Sequence, residues 1–261
     1  MENKVINVYK KCGETPLDCI NKLKKDDSSL RFLPMTYAGR LDPLAEGVLL
    51  ILVGEECHQK EKYLNLGKVY EVDVLFGFAT DTYDVMGKIT DVGRQITDVV
   101  RLGTPSRPTS VIIPQTILSQ FIGKIRQSYP PYSSRPVKGQ PLFKWAREGR
   151  LNEIEIPSHD VFVENIEIIG QSEISGQSLL SKIKEDIAKV EGDFRQGEII
   201  SLWNTELKNR DEEKFNILKL KISCGSGVYV RGLAHAIGQK LGLPALALNI
   251  KRTKVGEYGI N

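Results

Sequence analysis

The sequence predicts a chain of mixed α and β structure in which strands and helices alternate without an internal repeat. Three observations carry that reading. Residues 69–76, Val-Tyr-Glu-Val-Asp-Val-Leu-Phe, alternate apolar and polar side chains with period two and place Tyr70, Val72, Val74 and Phe76 on one strand face. Leu179, Leu180, Ile183, Ile187 and Val190 share one helical face. Leu218, Leu220 and Ile222 alternate with Lys219, Lys221 and Ser223, the pattern of a strand with one wet face. At 261 residues the chain can bury a substantial core as one large domain, or as a domain with a small appendage.

Along the chain, the first informative stretch is Tyr37-Ala38-Gly39-Arg40-Leu41-Asp42-Pro43-Leu44-Ala45-Glu46-Gly47. Pro43 biases Asp42 away from helical dihedrals, and Gly39 and Gly47 permit tight backbone paths on either side. The apolar run Val48 to Val53 that follows reads as a buried strand or helix. A lone carboxylate anchored this way is a candidate nucleophile, although Asp-Pro is also an ordinary turn dipeptide and local physics alone favours the turn. After the 69–76 strand, Thr80 to Gly87 is rich in side chains that cap and turn. Residues 103–115, with Pro105, Pro108 and Pro114, read as loop, and Gln115 to Ile125 has the apolar spacing of a short helix.

Tyr129 to Gly139 reads as extended and stiffened by prolines, and a helix around 142–148 stops at Gly149. Residues 170–214 are polar apart from the helix signal at 178–191, as an inserted segment would be. After Cys224-Gly225-Ser226-Gly227, Val228 to Arg231 is expected to resume strand periodicity, with Tyr229 and Arg231 facing one side. Leu233, Ala236, Ile237 and Leu241 mark a helix that ends at Gly242, and Pro244 confirms the stop.

Composition narrows the function classes. A formal charge of +3 permits an anionic partner without demanding one, so any nucleic-acid reading has to rest on local clusters. No apolar run is long enough to span a bilayer, and the polar start lacks the order of a signal peptide, so no membrane association and a cytoplasmic location are expected. Cys12, Cys19, Cys57 and Cys224 are scattered without a C-x-x-C pair, and His58, His159 and His235 are equally dispersed. Reduced thiols and no metal site are the expectation.

Several separated motifs, all in one order, give the chain its resemblance to a known family. They are Gly-x-Leu-Asp-Pro-Leu-Ala-x-Gly at 39–47, Lys68-Val69-Tyr70, Thr-Asp-Thr-x-Asp-x-x-Gly at 80–87 and Tyr132-Ser133. Leu142-Phe143 with Ala146-Arg147-x-Gly149, Gly227-Val228-Tyr229-Val230-Arg231 and Lys251-Arg252 complete the set. In these the chain resembles the TruB family of pseudouridine synthases, which isomerise the T-loop uridine of tRNA, over roughly residues 5–256 apart from the polar insertion. The resemblance implies an α+β fold with a mixed, largely antiparallel central sheet flanked by helices and loops. It implies a single catalytic domain over 1–261 with an inserted helical segment at 171–214, and leaves no room for a separate C-terminal RNA-binding domain. It further implies a monomer that acts on the T arm of tRNA, uridine 55 being the target, without cofactor or metal.

By the same resemblance Asp42 is the catalytic aspartate, Arg231 the arginine that pairs with it, and Tyr70 the tyrosine that stacks on the target base. Tyr229 matches a second active-site tyrosine, and Ile250 an aliphatic wall of the pocket. Lys10, Lys11, Arg40, Lys68, Lys138, Arg147, Lys251, Arg252 and Lys254 are candidate phosphate contacts. Departures from the pattern matter as well. Tyr37 stands where the family usually has a histidine that helps hold the flipped base, Lys10-Lys11 replaces Lys-Pro, Pro136 replaces a lysine, and Ser226 replaces a lysine or similar residue. Tyr37 and Pro136 favour the alternatives, a non-catalytic RNA-binding scaffold or the same chemistry on another RNA; the intact Asp42, Tyr70 and Arg231 set argues for the enzyme.

Overall fold

The computed structural model describes residues 4–93 and 115–260, so the expected proline-rich loop at 103–115 lies outside the described residues except for its last position. The N-terminal part supplies β1 (Lys4–Lys10), α1 (Pro16–Asp26), β2 (Met35–Ala38), β3 (Glu46–Val53), α2 (Lys60–Leu64), β4 (Lys68–Phe76), β5 (Phe78–Thr80) and β6 (Ile89–Val92). The middle supplies α3 (Gln115–Leu118), β7 (Gly123–Ser128), β8 (Pro136–Val137), β9 (Gln140–Pro141), α4 (Leu142–Arg147) and the long β10 (Ser158–Ser175). There follow α5 (Gly176–Ala188), α6 (Gln196–Glu206), β11 (Lys214–Cys224), α7 (Val230–Leu241), β12 (Ala245–Val255) and β13 (Tyr258–Gly259).

One mixed sheet organises these elements in the order β1-β3-β12-β4-β11-β10-β7, with β2 added on β3 and β13 on β12. Every pairing in it is antiparallel except β3 with β12, which run parallel where Glu46 faces Lys251 and Gly47 faces Arg252. The α+β architecture with a largely antiparallel sheet is therefore as the sequence motifs imply. Helices cover both faces of the sheet. On one, Tyr70, Val72 and Val74 of β4 meet Leu233, Ala234 and Ile237 of α7. On the other, Leu75 and Phe215 meet Leu179, Ile183 and Ile187 of α5 and Trp203 of α6.

Cover on both faces explains the run from Val48 to Val53, which does not alternate. Val48, Leu50 and Leu52 pack with Tyr63 and Val255, whereas Leu49 and Ile51 pack with Cys19 and Ile20 of α1. A strand buried on both sides needs apolar residues at every position. The period-two reading of 69–76 holds: Tyr70, Val72, Val74 and Phe76 all lie in the core. The apolar face of α5 is equally buried, and each fully buried Leu or Ile there contributes about 1.5–3 kcal/mol relative to exposure.

Three local expectations need correction. The helix expected over 115–125 ends as α3 at Leu118 and a 3-10 turn at Ser119–Phe121. Gly123 then takes a left-handed φ of 90°, and Ile125 sits in β7 opposite Val161 of β10. Its spacing suited a helix, but the strand pairing won. The stretch 228–231 does not resume a strand. The β10-β11 ladder closes at Cys224, Gly227 turns the chain with φ 85°, and the Tyr229 carbonyl already accepts the Leu233 amide, so Arg231 lies in the first turn of α7. Lastly, α6 was not anticipated, although Ile199, Trp203 and Leu207 recur every four residues and are all buried.

Candidate active site

The segment that carries Asp42 spans the end of β2 and the start of β3, and two buried cations hold it from below. Lys10, at the end of β1, is fully buried, and its three ammonium protons go to the carbonyls of Lys11 (3.1 Å), Pro43 (3.1 Å) and Ala45 (2.6 Å). Burial lowers its pKa, as expected for an ammonium out of water. Arg252 of β12, also buried, donates from Nε to the Val48 carbonyl (2.8 Å) and from Nη2 to the Gly39 carbonyl (2.8 Å). The two cations thus satisfy the carbonyls of Gly39, Pro43, Ala45 and Val48. The Gly13 amide on the Pro43 carbonyl (2.9 Å) and the Ala45 amide on the Asp42 carbonyl (3.1 Å) complete the turn.

Gly47 is required by this arrangement. Its φ is 111°, and any Cβ there would run into the backbone carbonyl of Arg252, because β3 and β12 meet in parallel at that residue. The Asp42 side chain, at the top of a frame otherwise buried, keeps 40% of its surface exposed. Rigid support beneath an accessible carboxylate is the arrangement a nucleophile needs.

Arg231 reaches Asp42 from the first turn of α7. Its Nε lies 2.7 Å from Asp42 Oδ2 and 3.6 Å from Asp84 Oδ2, and Nη1 donates to the Thr82 carbonyl and Nη2 to that of Tyr132 (3.5 Å). Burial works against its charge, but Asp42 and Asp84 together outweigh burial and hold the guanidinium firmly protonated. Asp84 is itself buried and oriented by the Thr82 hydroxyl (2.6 Å) and the Met86 amide (2.9 Å) on Oδ1. Burial pushes its carboxyl up, and the neighbouring Arg231 pulls the other way. The side chains of the 80–87 loop, which the sequence marks only as capping and turning, thus set the arginine that sets Asp42.

A cleft of about 610 Å³ opens above these groups, lined by Asp42, Tyr70, Tyr229, Arg231 and Ile250, with Arg40 and Lys68 also at its wall. Tyr70 comes from β4, and burial raises its hydroxyl pKa while the nearby Arg252 charge works the other way. Tyr229 is held through its backbone, its amide donating to Gln127 Oε1 (2.9 Å) and its carbonyl accepting from Gln127 Nε2 (3.0 Å). Its ring stands edge-on to Tyr129 at 5.7 Å, and Tyr129 stacks on His159 at 4.2 Å. Arg40 is exposed and bonded to the Ser134 hydroxyl at 3.0 Å, as a rim contact would be.

Two of the expected substrate contacts sit differently. The Lys68 ammonium donates to the Leu64 (2.9 Å) and Leu66 (2.6 Å) carbonyls, and burial brings its pKa down to about 8, so it braces the wall. Tyr37 is not brought to the cleft. It lies on β2 opposite Ile51, packed against the cluster under α1, with the Lys60 ammonium 5.3 Å from its ring. The composition of a basic residue list does not separate buried braces from surface charges, which is why Lys10 and Arg252 read as phosphate contacts. Among the described residues, no group of three or more His, Cys, Asp or Glu side chains is placed to hold a metal.

The fold is shared with chains in two solved assemblies. A chain in the crystal structure of a Cbf5-Nop10-Gar1 complex superposes with a TM-score of 0.53 at 18% identity, over 98% of this chain and 50% of that one. A chain in the structure of an H/ACA RNP bound to a substrate RNA containing 2'-deoxyuridine gives 0.51 at 17%, over 98% and 49%. In sequence, the model of the TruB family pseudouridylate synthase N-terminal domain matches residues 30–181. The chain belongs to the TruB family. Its relatives include proteins named tRNA pseudouridine synthase B from Nostoc sp. (34% identical, 89% of this chain and 60% of the relative) and Fusobacterium nucleatum (30%, 98% and 69%). The chain spans 60% of the length of the Nostoc relative and about half of the two structural neighbours.

Proposed function

We propose that this chain isomerises a uridine of tRNA to pseudouridine, the target being uridine 55 in the T loop, with Asp42 as the nucleophile. The observation that carries the reading is one exposed carboxylate, braced from below by buried cations and held 2.7 Å from a buried arginine, at the floor of a cleft with aromatic and aliphatic walls. The reaction suits so spare a site. The bond from N1 of uracil to C1′ breaks, the base turns, C5 bonds to C1′, and the proton lost from C5 is balanced by one gained at N1. The changes at C1′ and C5 cancel, so the isomerisation is redox-neutral overall and calls for no redox cofactor.

Asp42 attacks the sugar or assists its deprotonation, and either route divides a hard step into easier ones. Arg231 holds the acid in place and aims it. Taking the uridine out of its stack costs a few kcal/mol, and the faces of Tyr70, Tyr229 and Ile250 offset that cost by packing on the extruded base. The T arm is recognised by its folded shape and backbone, with Arg40 among the contacts. The chain works as a monomer in the cytoplasm, one catalytic domain with residues 171–214 as an inserted segment.

The test is tritium release from C5-labelled uridine in an unmodified T-arm transcript, with the product mapped to its position. Asp42→Asn should abolish release and leave RNA binding within a few fold, since the amide keeps the shape of the acid but not its reactivity. Loss of binding in parallel with activity would contradict the nucleophile role. Binding without release by the wild-type protein would point to another RNA, or to a scaffold that binds and does not catalyse.

A further inference from the structure

The connection between α5 and α6 forms part of the cleft wall, and the chemistry described so far does not use it. Asp193, Phe194 and Arg195 all line the cleft, and all lie beyond residues 30–181, the part matched by the family model. The connection is held firmly. Gln196 Nε2 donates to the Val190 (3.1 Å) and Gly192 (2.7 Å) carbonyls, and its Oε1 accepts from the Phe194 amide (2.9 Å). Arg195 adopts a left-handed φ of 65° and places its guanidinium on both oxygens of Asp81, at 2.8 and 3.3 Å, and 4.5 Å from the centre of the Tyr132 ring. Asp81 belongs to the same loop that supplies Thr82 and Asp84 to Arg231.

Phe194 is what this bracing presents. The ring is 37% exposed at the cleft instead of joining the apolar cluster that α5 and α6 share a few residues away. A large exposed aromatic on a fixed turn is costly in water unless a partner covers it. The cleft has room for more than one base, since a single uracil fills only part of about 610 Å³. Arg147 is paired with Asp193 Oδ2 at 2.8 Å, and Arg40 places positive charge at the same opening.

We propose that Phe194 stacks on the base of a nucleotide adjoining the extruded uridine, with Arg195 as the residue that positions it, so that the α5-α6 segment grips the RNA next to the target. The inference rests on the RNA-modifying function proposed above. Aromatic rings take bases without regard to sequence, which fits a wall that grips a strand while the cleft floor selects the reacting base.

The experiment compares wild type, Phe194→Ala and Phe194→Trp on an unmodified T-arm transcript carrying 2-aminopurine singly on either side of the target uridine. Stacking should quench 2-aminopurine at one of these positions in wild type and Phe194→Trp but not in Phe194→Ala. Phe194→Ala should weaken transcript binding and raise KM about ten-fold, with kcat and the tryptophan variant near wild type. Equal binding by wild type and Phe194→Ala, or the same fluorescence in both, overturns the inference. Wild type that binds and quenches but releases no tritium faults the functional reading and leaves the stacking supported.

Discussion

Replacing Arg231 with alanine separates the two tasks of this arginine, because one of its acids is exposed and the other is not. Asp42 keeps 40% of its surface in water and can be resolvated, whereas Asp84 cannot: its side chain is 12% exposed and its second oxygen faces the arginine. Leaving that charge buried and unpaired should cost about 3–5 kcal/mol. Asp84→Asn in the same background removes the charge and should restore stability by about 2 kcal/mol or more, as expected of directly coupled groups. Activity should stay lost in both, since Asp42 has no arginine to aim it. Urea unfolding of wild type, both single variants and the double variant, read beside tritium release, gives the cycle. The pH dependence has a definite sign. Burial raises the native pKa of Asp84, so its contribution to stability is present in full below about pH 4 and is lost as pH rises through the native pKa. Without Arg231 that pKa moves higher still, so the deficit of Arg231→Ala should shrink as pH falls towards the unfolded-state value of about 4. A deficit independent of pH that Asp84→Asn leaves untouched would refute the coupling.

Two further predictions concern the frame beneath the acid. Gly47→Ala should destabilise by about 3 kcal/mol or more in urea titrations, because the added methyl meets the Arg252 carbonyl and the left-handed φ resists a side chain. Gly139→Ala, also at positive φ but with open space around it, should cost only about 1–2 kcal/mol, and equal losses at the two sites would dismiss the clash. For Lys68, burial brings the native pKa down to about 8, so the native state sheds its proton before the unfolded state does. Wild-type stability relative to Lys68→Met should therefore rise between about pH 8 and 10.4, and a flat difference would mean that the ammonium is not buried as described.

Elements with one dominant signal were legible in the sequence. The alternation at 69–76 became β4, the apolar face at 179–190 became α5, and Gly149 and Gly242, both left-handed, end α4 and α7 as expected. Where two signals competed, the distant partner decided. Ile125 had helical spacing but found Val161 on a neighbouring strand, and Val228 to Arg231 had strand-like residues but followed a glycine turn that had already closed the ladder. The site residues named from motifs came together around Asp42, apart from Tyr37. What sequence could not give was the environment of each charge. Asp84 looked like a capping residue, and Lys10, Lys68 and Arg252 looked like surface cations, because burial is a property of the assembled sheet and not of the neighbours in sequence.

That misreading bears on how RNA would be held. Three of the nine cations offered as phosphate contacts are buried and satisfied by backbone carbonyls. Arg147 is engaged by Asp193 and Lys138 by the Glu153 carbonyl. A cation already used in this way is not free to reach a phosphate and displace the counterions condensed on the RNA, and so adds little to the salt-dependent part of affinity. Lys10 and Arg252 stiffen the acid's loop, and under the proposed function that favours the transition state by fixing Asp42 before substrate arrives. The basic residues near the cleft therefore serve geometry more than attraction. With a net charge of only +3, the proposed function requires shape and stacking to supply much of the grip on RNA. An aromatic ring held in the open at the cleft wall is the kind of contact that such an economy of charge requires.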